Sequence, residues 1–306
     1  MSSLFAFPGQ GAQQVGMLQR LPEGCGQLLE EASDALGQQV LEMDSQQALQ
    51  NTRAVQLCLL LGGVAWARWL MQRSPAPDYV AGLSIGAYPA AVVAGALGFA
   101  DAVRLVALRG ELMQGAYPQG YGMTALSGLD LASVERLLIE VGGEVYVANL
   151  NSDNQIVIAG SDTAMAEVAA RARRLGQGVA RRLAVSVPSH CRLLDGPAAQ
   201  LASAFASVEL QRPRITYLSG SSARPVFDPQ HLRDDLAGNM ARVVDWRATL
   251  RNAYERGVRL HLEMPPGSVL SGLARPVFEQ GRVVAVEGTR WDTLDALLRQ
   301  EVAGDR

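Results

Sequence analysis

The sequence predicts an α/β protein with a hydrolase-like parallel-sheet core, residues 1–120 and 188–306, interrupted by a small ferredoxin-like subdomain over 121–187. Three observations predict it. A strand pattern at 78–81 runs into Gly82-Leu83-Ser84-Ile85-Gly86 and then into a helix pattern at 87–94, the strand–turn–helix unit of a parallel α/β sheet. From Gly122 onward, strand patterns at 123–126, 145–150, 155–159 and 179–187 are interleaved with helix patterns at 131–141 and 163–175, a βαββαβ order. Finally, 306 residues that are 48% hydrophobic suffice for one large core and a smaller one.

Leu4-Phe5-Ala6-Phe7 reads as a buried strand that enters Pro8-Gly9-Gln10-Gly11-Ala12-Gln13, a loop whose flexible backbone can present N–H donors. The Gly82–Gly86 segment has the context of a nucleophile elbow. Such a turn is so tight that only hydrogen fits two positions before and after the serine. It lifts the serine oxygen to a helix N-terminus, where backbone N–H groups can stabilise an oxyanion. The same five residues can also make a glycine-flanked turn without chemistry, so the choice rests on what else the chain supplies. A serine nucleophile needs a base, and the chain has three histidines. His190 follows the strand pattern 183–187, just past a strand end, where a general base would sit. His261 lies in the alternating pattern 258–263 on the face of Arg259 and Glu263 and reads as solvated; His231 follows Asp228-Pro229 and reads as a surface residue. Ser84 and His190 are the candidate catalytic pair.

Composition narrows the classes. All 27 basic residues are arginine, and the absence of lysine removes both a Walker-type phosphate loop and a Schiff-base enzyme. A net charge of −3 with no nucleic-acid-reading motif gives no reason to expect nucleic-acid binding. Cys25, Cys58 and Cys191 are odd in number and lack C-x-x-C spacing, which suggests neither a disulfide framework nor a zinc site. No charged n-region precedes an apolar core at Met1-Ser2-Ser3-Leu4, and the apolar run 57–67 stops at Arg68, short of a bilayer span. A cytoplasmic location without membrane attachment is expected. Arg171, Arg173, Arg174, Arg181 and Arg182 concentrate positive charge at the end of the small subdomain, either as a solvated face or as a patch that steers an acidic partner.

Six ordered blocks resemble one family, the acyltransferases that load malonyl groups onto acyl carrier proteins. They are Phe7-Pro8-Gly9-Gln10-Gly11-Ala12-Gln13, the Gly82–Gly86 elbow, Val106-Ala107-Leu108-Arg109-Gly110, Asn149-Leu150-Asn151-Ser152 with Gln155–Gly160, Val187-Pro188-Ser189-His190-Cys191, and Glu263-Met264-Pro265-Pro266-Gly267-Ser268-Val269-Leu270. Within the family the likeness is greatest to the malonate decarboxylase epsilon subunit, because the usual Gly-His-Ser-x-Gly-Glu elbow reads here Gly82-Leu83-Ser84-Ile85-Gly86-Ala87, followed by Tyr88-Pro89-Ala90-Ala91.

The resemblance implies a site. Its oxyanion hole would use the backbone N–H groups of Gln10 and Ile85. Arg109, by itself an unremarked helical charge, would hold the free carboxylate of malonate through two parallel N–H bonds. Gln56 and Asn239 would line the substrate position, Asn239 standing one methylene short of the family's usual glutamine. The implied reaction moves a malonyl group from malonyl-CoA through a malonyl-serine intermediate to a pantetheine-type thiol on an acyl carrier protein, with ping-pong kinetics and with no metal or permanently bound cofactor. The expected acceptor is the carrier subunit of malonate decarboxylase, whose other subunits are then potential partners. The alternatives are a malonyl-CoA:acyl carrier protein transacylase of fatty-acid synthesis and, further off, a serine thioesterase or esterase. Retention of both Ser84 and His190 speaks against a non-catalytic docking subunit.

Overall fold

A computed structural model describes residues 2–176 and 178–303. Met1, Gln177 and 304–306, which the expected divisions include, lie outside the described residues. The strands are β1 (Ser2–Phe7), β2 (Tyr79–Gly82), β3 (Tyr121–Ser127), β4 (Val145–Ser152), β5 (Gln155–Ser161), β6 (Val179–Arg182), β7 (Thr216–Leu218), β8 (Pro225–Val226), β9 (Val244–Asp245), β10 (Val258–Glu263) and β11 (Arg282–Ala285).

One sheet has the order β11-β10-β1-β2-β7-β8 and is parallel except for β8 at its edge. That exception follows from chain length: 219–224 is too short for the crossover a parallel neighbour needs. Both faces are covered, so the central strands are apolar on both sides. Phe5, Phe7 and Val80 enter a core shared with the helices Thr52–Met71, Ala87–Val93 and Phe99–Ala116, whereas Leu4, Ala6 and Ala81 pack with Trp246, Leu250 and Leu270 on the opposite face. The apolar run expected to end at Arg68 continues as helix to Met71. Its 20 residues are long and apolar enough to cross a membrane, yet 78% of the apolar window is buried inside the protein. A Cβ on Gly63 would lie 3.0 Å from the Phe7 ring and 3.2 Å from Pro89, so the helix seats directly on β1 and on the helix after the elbow.

The second sheet has the order β6-β3-β5-β4-β9. Its first four strands are antiparallel and carry the helices Leu131–Val141 and Asp162–Arg174 on one face, the ferredoxin-like arrangement. Sequence patterning did not anticipate β9, which comes from beyond residue 188 and pairs in parallel with β4. At 2 residues, Val244–Asp245 has no periodicity to read. Arg247, just after β9, also reaches Asp153 in the β4–β5 turn at 3.2 Å, so the small sheet is fastened to the large one along this edge.

Two expectations are corrected, for the strand over 179–187 and for His261. The strand expected over 179–187 ends at Arg182, because Leu183 donates the last ladder bond to Met123 O at 3.0 Å and the Arg182 guanidinium itself takes Tyr121 O at 2.8 Å. The chain then peels away toward the large sheet, carrying 183–190 as irregular backbone. In the arginine cluster, Arg171 pairs with Glu167 and Glu140, Arg174 with the same Glu167, and Arg182 with Asp162, while Arg173 donates to Ala169 O. His261 is fully buried rather than solvated, since β10 lies between β1 and β11 with both faces covered, and it packs edge-on against Phe278 at 5.6 Å. His231 is at the surface as expected.

Among the described residues neither ring nitrogen of His261 has a hydrogen-bond partner, and burial lowers its pKa from 6.5 to about 4. The unfolded chain therefore binds this proton at a higher pH than the folded chain, and stability falls as pH drops through the window from 6.5 toward 4. His261→Leu is expected to flatten the loss of stability between pH 7 and pH 5 in chemical denaturation. An unchanged slope would show that the buried imidazole does not contribute.

Candidate active site

The site begins with the geometry of the turn after β2. Ser84 sits at φ 57, a left-handed conformation that a residue with a side chain adopts only where its surroundings impose it. A Cβ on Gly82 would lie 1.9 Å from the Gly86 carbonyl carbon, and one on Gly86 would lie 2.2 Å from Phe7 O, so neither position admits any side chain. Gly9 packs closely on the other side, where a Cβ would sit 3.0 Å from Leu83 O and 2.7 Å from a Leu83 methyl. The loop 8–12 is thereby pressed against the serine and brings Gln10 to the cleft. Ile85 follows Ser84 into the helical turn Ser84–Gly86, which continues as the helix Ala87–Val93.

His190 reaches this serine from a separate stretch of chain. It too is left-handed, at φ 64, and its backbone N–H donates to Met240 O at 2.7 Å. Its Nε2 lies 2.8 Å from Ser84 Oγ, while Nδ1 lies 2.9 Å from Asn239 O and 3.2 Å from Arg242 O. Two carbonyls can only accept, so they fix the proton on Nδ1 and leave the Nε2 lone pair facing the serine hydroxyl. A neutral imidazole oriented this way can take the hydroxyl proton. Burial, reinforced by the Arg109 charge, lowers the His190 pKa to about 4, which keeps the base unprotonated at neutral pH.

Arg109 is fully buried on the helix Phe99–Ala116. Its Nη1 donates to Gln56 Oε1 at 2.6 Å, and its Nη2 donates to Asn239 Oδ1 at 3.0 Å and to Ser84 Oγ at 3.3 Å. The Tyr88 ring lies 5.9 Å from the guanidinium carbon. Among the described residues no carboxylate contacts this charge, and its Nε has no partner. Burial lowers its pKa to about 10, still well above neutral pH, so the site holds an uncompensated cation beside the serine.

All seven residues singled out from sequence therefore converge on one cleft or its floor. Gln56, solvated on a bare reading of its helix, is buried and bonded to Arg109. Asn239 contributes twice, through its side chain to Arg109 and through its carbonyl to His190. Sequence reasoning missed the Arg242 carbonyl, the Tyr88 ring and Met113, whose sulfur accepts from Gln56 Nε2 at 3.3 Å. Backbone carbonyls leave no residue-type signal; Met113 could have been flagged by its position one helical turn beyond Arg109.

The cleft holds a cavity of about 370 Å³ between the two sheets. One wall is formed by the loop 8–12, Leu83, Ser84, His190 and the helix Val269–Ala274. The other is the open face of the small sheet, where alternation along β3, β4 and β5 presents Met123, Asn149, Asn151 and Val157 with Arg181 nearby. Among the described residues, the buried side-chain oxygens of Asn149 and Asn151 have no partner. Gly82→Ala is expected to abolish recovery of soluble folded protein or to lower its melting temperature by well over 10 °C, because the clash is with backbone atoms. A variant folded as stably as the parent would mean the turn has room that this geometry denies.

Comparison with known proteins extends these observations. Residues 4–300 match the family described as the acyl transferase domain. The chain is 37% identical over 285 residues to the malonyl CoA-acyl carrier protein transacylase of Salmonella typhimurium, covering 90% of this chain and 92% of that one. With the protein of the same name from Bacillus subtilis (strain 168) it shares 32% over 293 residues, covering 92% of each. Among solved structures, FabD from Acinetobacter baumannii superposes with a TM-score of 0.92 at 38% identity, covering 98% of this chain and 99% of that one. A malonyl-transacylase solved in complex with a type II PKS acyl-carrier protein gives 0.91 at 35%, covering 98% and 100%. With the elbow, the serine–histidine pair and a match spanning nearly all its length, the chain belongs to the acyl transferase domain family.

Proposed function

We propose that the protein is a malonyltransferase that carries a malonyl group from malonyl-CoA through an ester on Ser84 to the pantetheine thiol of an acyl carrier protein. The observation that carries this reading is the buried Arg109, a cation with no carboxylate partner, 3.3 Å from the candidate nucleophile. A dicarboxylic acyl group esterified to Ser84 would bring its free carboxylate to that guanidinium.

In the first half-reaction Ser84 Oγ attacks the thioester carbonyl as its proton passes to His190 Nε2. The N–H groups of Gln10 and Ile85 receive the negative charge on the carbonyl oxygen. Collapse breaks the C–S bond, and the departing thiol takes the proton from His190. The second half-reaction reverses these steps with the carrier thiol, which is ping-pong chemistry. Pantetheine bears amide N–H groups, and the unpartnered oxygens of Asn149 and Asn151 in the cleft wall suit them. Arg181, the member of the arginine cluster whose side chain keeps no ion pair or hydrogen bond among the described residues, lines the same cleft and suits the phosphate or acidic surface that follows the arm.

For the acceptor, the relatives named above support an acyl carrier protein of the kind that transacylases serve. The carrier subunit of malonate decarboxylase is a second reading, favoured by the elbow and the residues after it, Gly82-Leu83-Ser84-Ile85-Gly86-Ala87 and Tyr88-Pro89-Ala90-Ala91; presenting both carriers to the malonylated protein separates the two. The setting proposed for either carrier is the cytoplasm.

Ser84→Ala is expected to abolish the malonyl adduct seen by mass spectrometry after mixing with malonyl-CoA, and His190→Ala to slow its formation by a factor on the order of 10² or more. Because His190 stays neutral until pH approaches about 4, the rate of adduct formation should hold level from pH 7 to pH 5.5 rather than halve near 6.5. A persisting adduct on Ser84→Ala would contradict the assignment. Arg109→Ala is expected to lose malonyl transfer, by roughly 2–5 kcal/mol in the barrier, while keeping or gaining acetyl transfer. Equal losses with both donors would make Arg109 structural.

A further inference from the structure

The guanidinium of Arg109 is aimed by Gln56, and Gln56 has a direction of its own. Its Oε1 accepts from Arg109 Nη1 at 2.6 Å, and its Nε2 donates to Met113 Sδ at 3.3 Å. All three side chains are buried, at 0% exposure for Gln56 and Arg109 and 1% for Met113. A terminal amide has two nearly equivalent orientations half a turn apart, and water, which would serve either, cannot intervene here. Reversed, Gln56 would point N–H at N–H, and Arg109 would lose the acceptor that holds Nη1.

Arg109 and Met113 select the same orientation, the guanidinium taking only the oxygen end of the amide and the sulfur only the nitrogen end. A thioether sulfur accepts a hydrogen bond and cannot donate one, so it suits the amide nitrogen and offers nothing to the amide oxygen. Arg109 and Met113 lie one turn apart on the same face of the helix Phe99–Ala116, and Gln56 faces both from the helix Thr52–Met71. One residue thus takes the oxygen end of Gln56 and the other the nitrogen end. We propose that Met113 is a positioning residue for acyl selectivity: its sulfur anchors the nitrogen end of the Gln56 amide, and the amide so held fixes the direction in which the Arg109 guanidinium meets the acyl carboxylate. This rests on the proposed pairing of Arg109 with a malonyl carboxylate.

The test is the ratio of kcat/KM for malonyl-CoA to that for acetyl-CoA, measured as adduct formation on Ser84. Met113→Leu conserves volume while removing the acceptor, and the ratio is expected to fall roughly three- to tenfold, the range of one net hydrogen bond. The melting temperature should stay within a few degrees of the parent. Met113→Gln, which restores an acceptor, is expected to keep the ratio within about twofold of the parent. In a Gln56→Leu background, Met113→Leu should produce no further change in the ratio. An unchanged ratio in Met113→Leu, equal losses with both donors, or a Met113→Gln as unselective as Met113→Leu would overturn the proposal. If Met113→Leu does not fold, Met113→Ile, which equally lacks an acceptor, is expected to lower the ratio in the same way, and an unchanged ratio there overturns the proposal. A parent protein that forms no malonyl adduct would instead overturn the proposed function, so the two failures are distinguishable.

Discussion

The buried guanidinium of Arg109 is the constraint around which the rest of the site is arranged. Taking an ion out of water without an opposite charge costs several kcal/mol even after relaxation. The protein offsets part of that with neutral oxygens from Gln56, Asn239 and Ser84 and with the face of Tyr88. Each partner comes from a different element: the long apolar helix beneath β1, the segment after the helix Pro229–Gly238, the elbow, and the helix that follows it. Holding one charge thereby fixes four pieces of chain relative to one another. What the set lacks is an anion, and the proposed substrate would supply it.

That cation also shapes the base. A serine–histidine pair is commonly oriented by a carboxylate, whose negative charge favours the imidazolium. Here two backbone carbonyls do the orienting, with only partial charges, and Arg109 adds a nearby positive one. The imidazole is consequently held neutral, in the tautomer that can accept from Ser84, at the expense of its ability to stay protonated. Ser84 and His190 both have left-handed backbones, the first in a turn that admits no side chain at Gly82 or Gly86 and the second with its N–H on Met240 O, and each side chain meets the other.

Much of this was legible in the sequence where residue type and spacing carry the constraint. Gly82 and Gly86 announce the elbow because any Cβ there meets backbone, and the βαββαβ alternation announces the small sheet because its period changes with each element. Other features left no such trace. Gln56 and His261 are polar residues whose burial depends on which elements cover them, which composition cannot reveal. Asn239 was visible as a side chain, but its carbonyl, like that of Arg242, is common to every residue. β9 is two residues long and joins a sheet assembled nearly a hundred residues earlier. The ion-pair partners of the arginine cluster, Glu140 and Asp162 among them, lie on other turns and elements and are not adjacent in the chain.

The most direct test of this account is a crystal structure of the protein trapped after reaction with malonyl-CoA and before any carrier is added. The account predicts continuous density from Ser84 Oγ into a malonyl ester, with the distal carboxylate paired to the Arg109 guanidinium and His190 Nδ1 still on the carbonyls of Asn239 and Arg242. An ester whose carboxylate points to solvent, with Arg109 unmoved on Gln56 and Asn239, would contradict it.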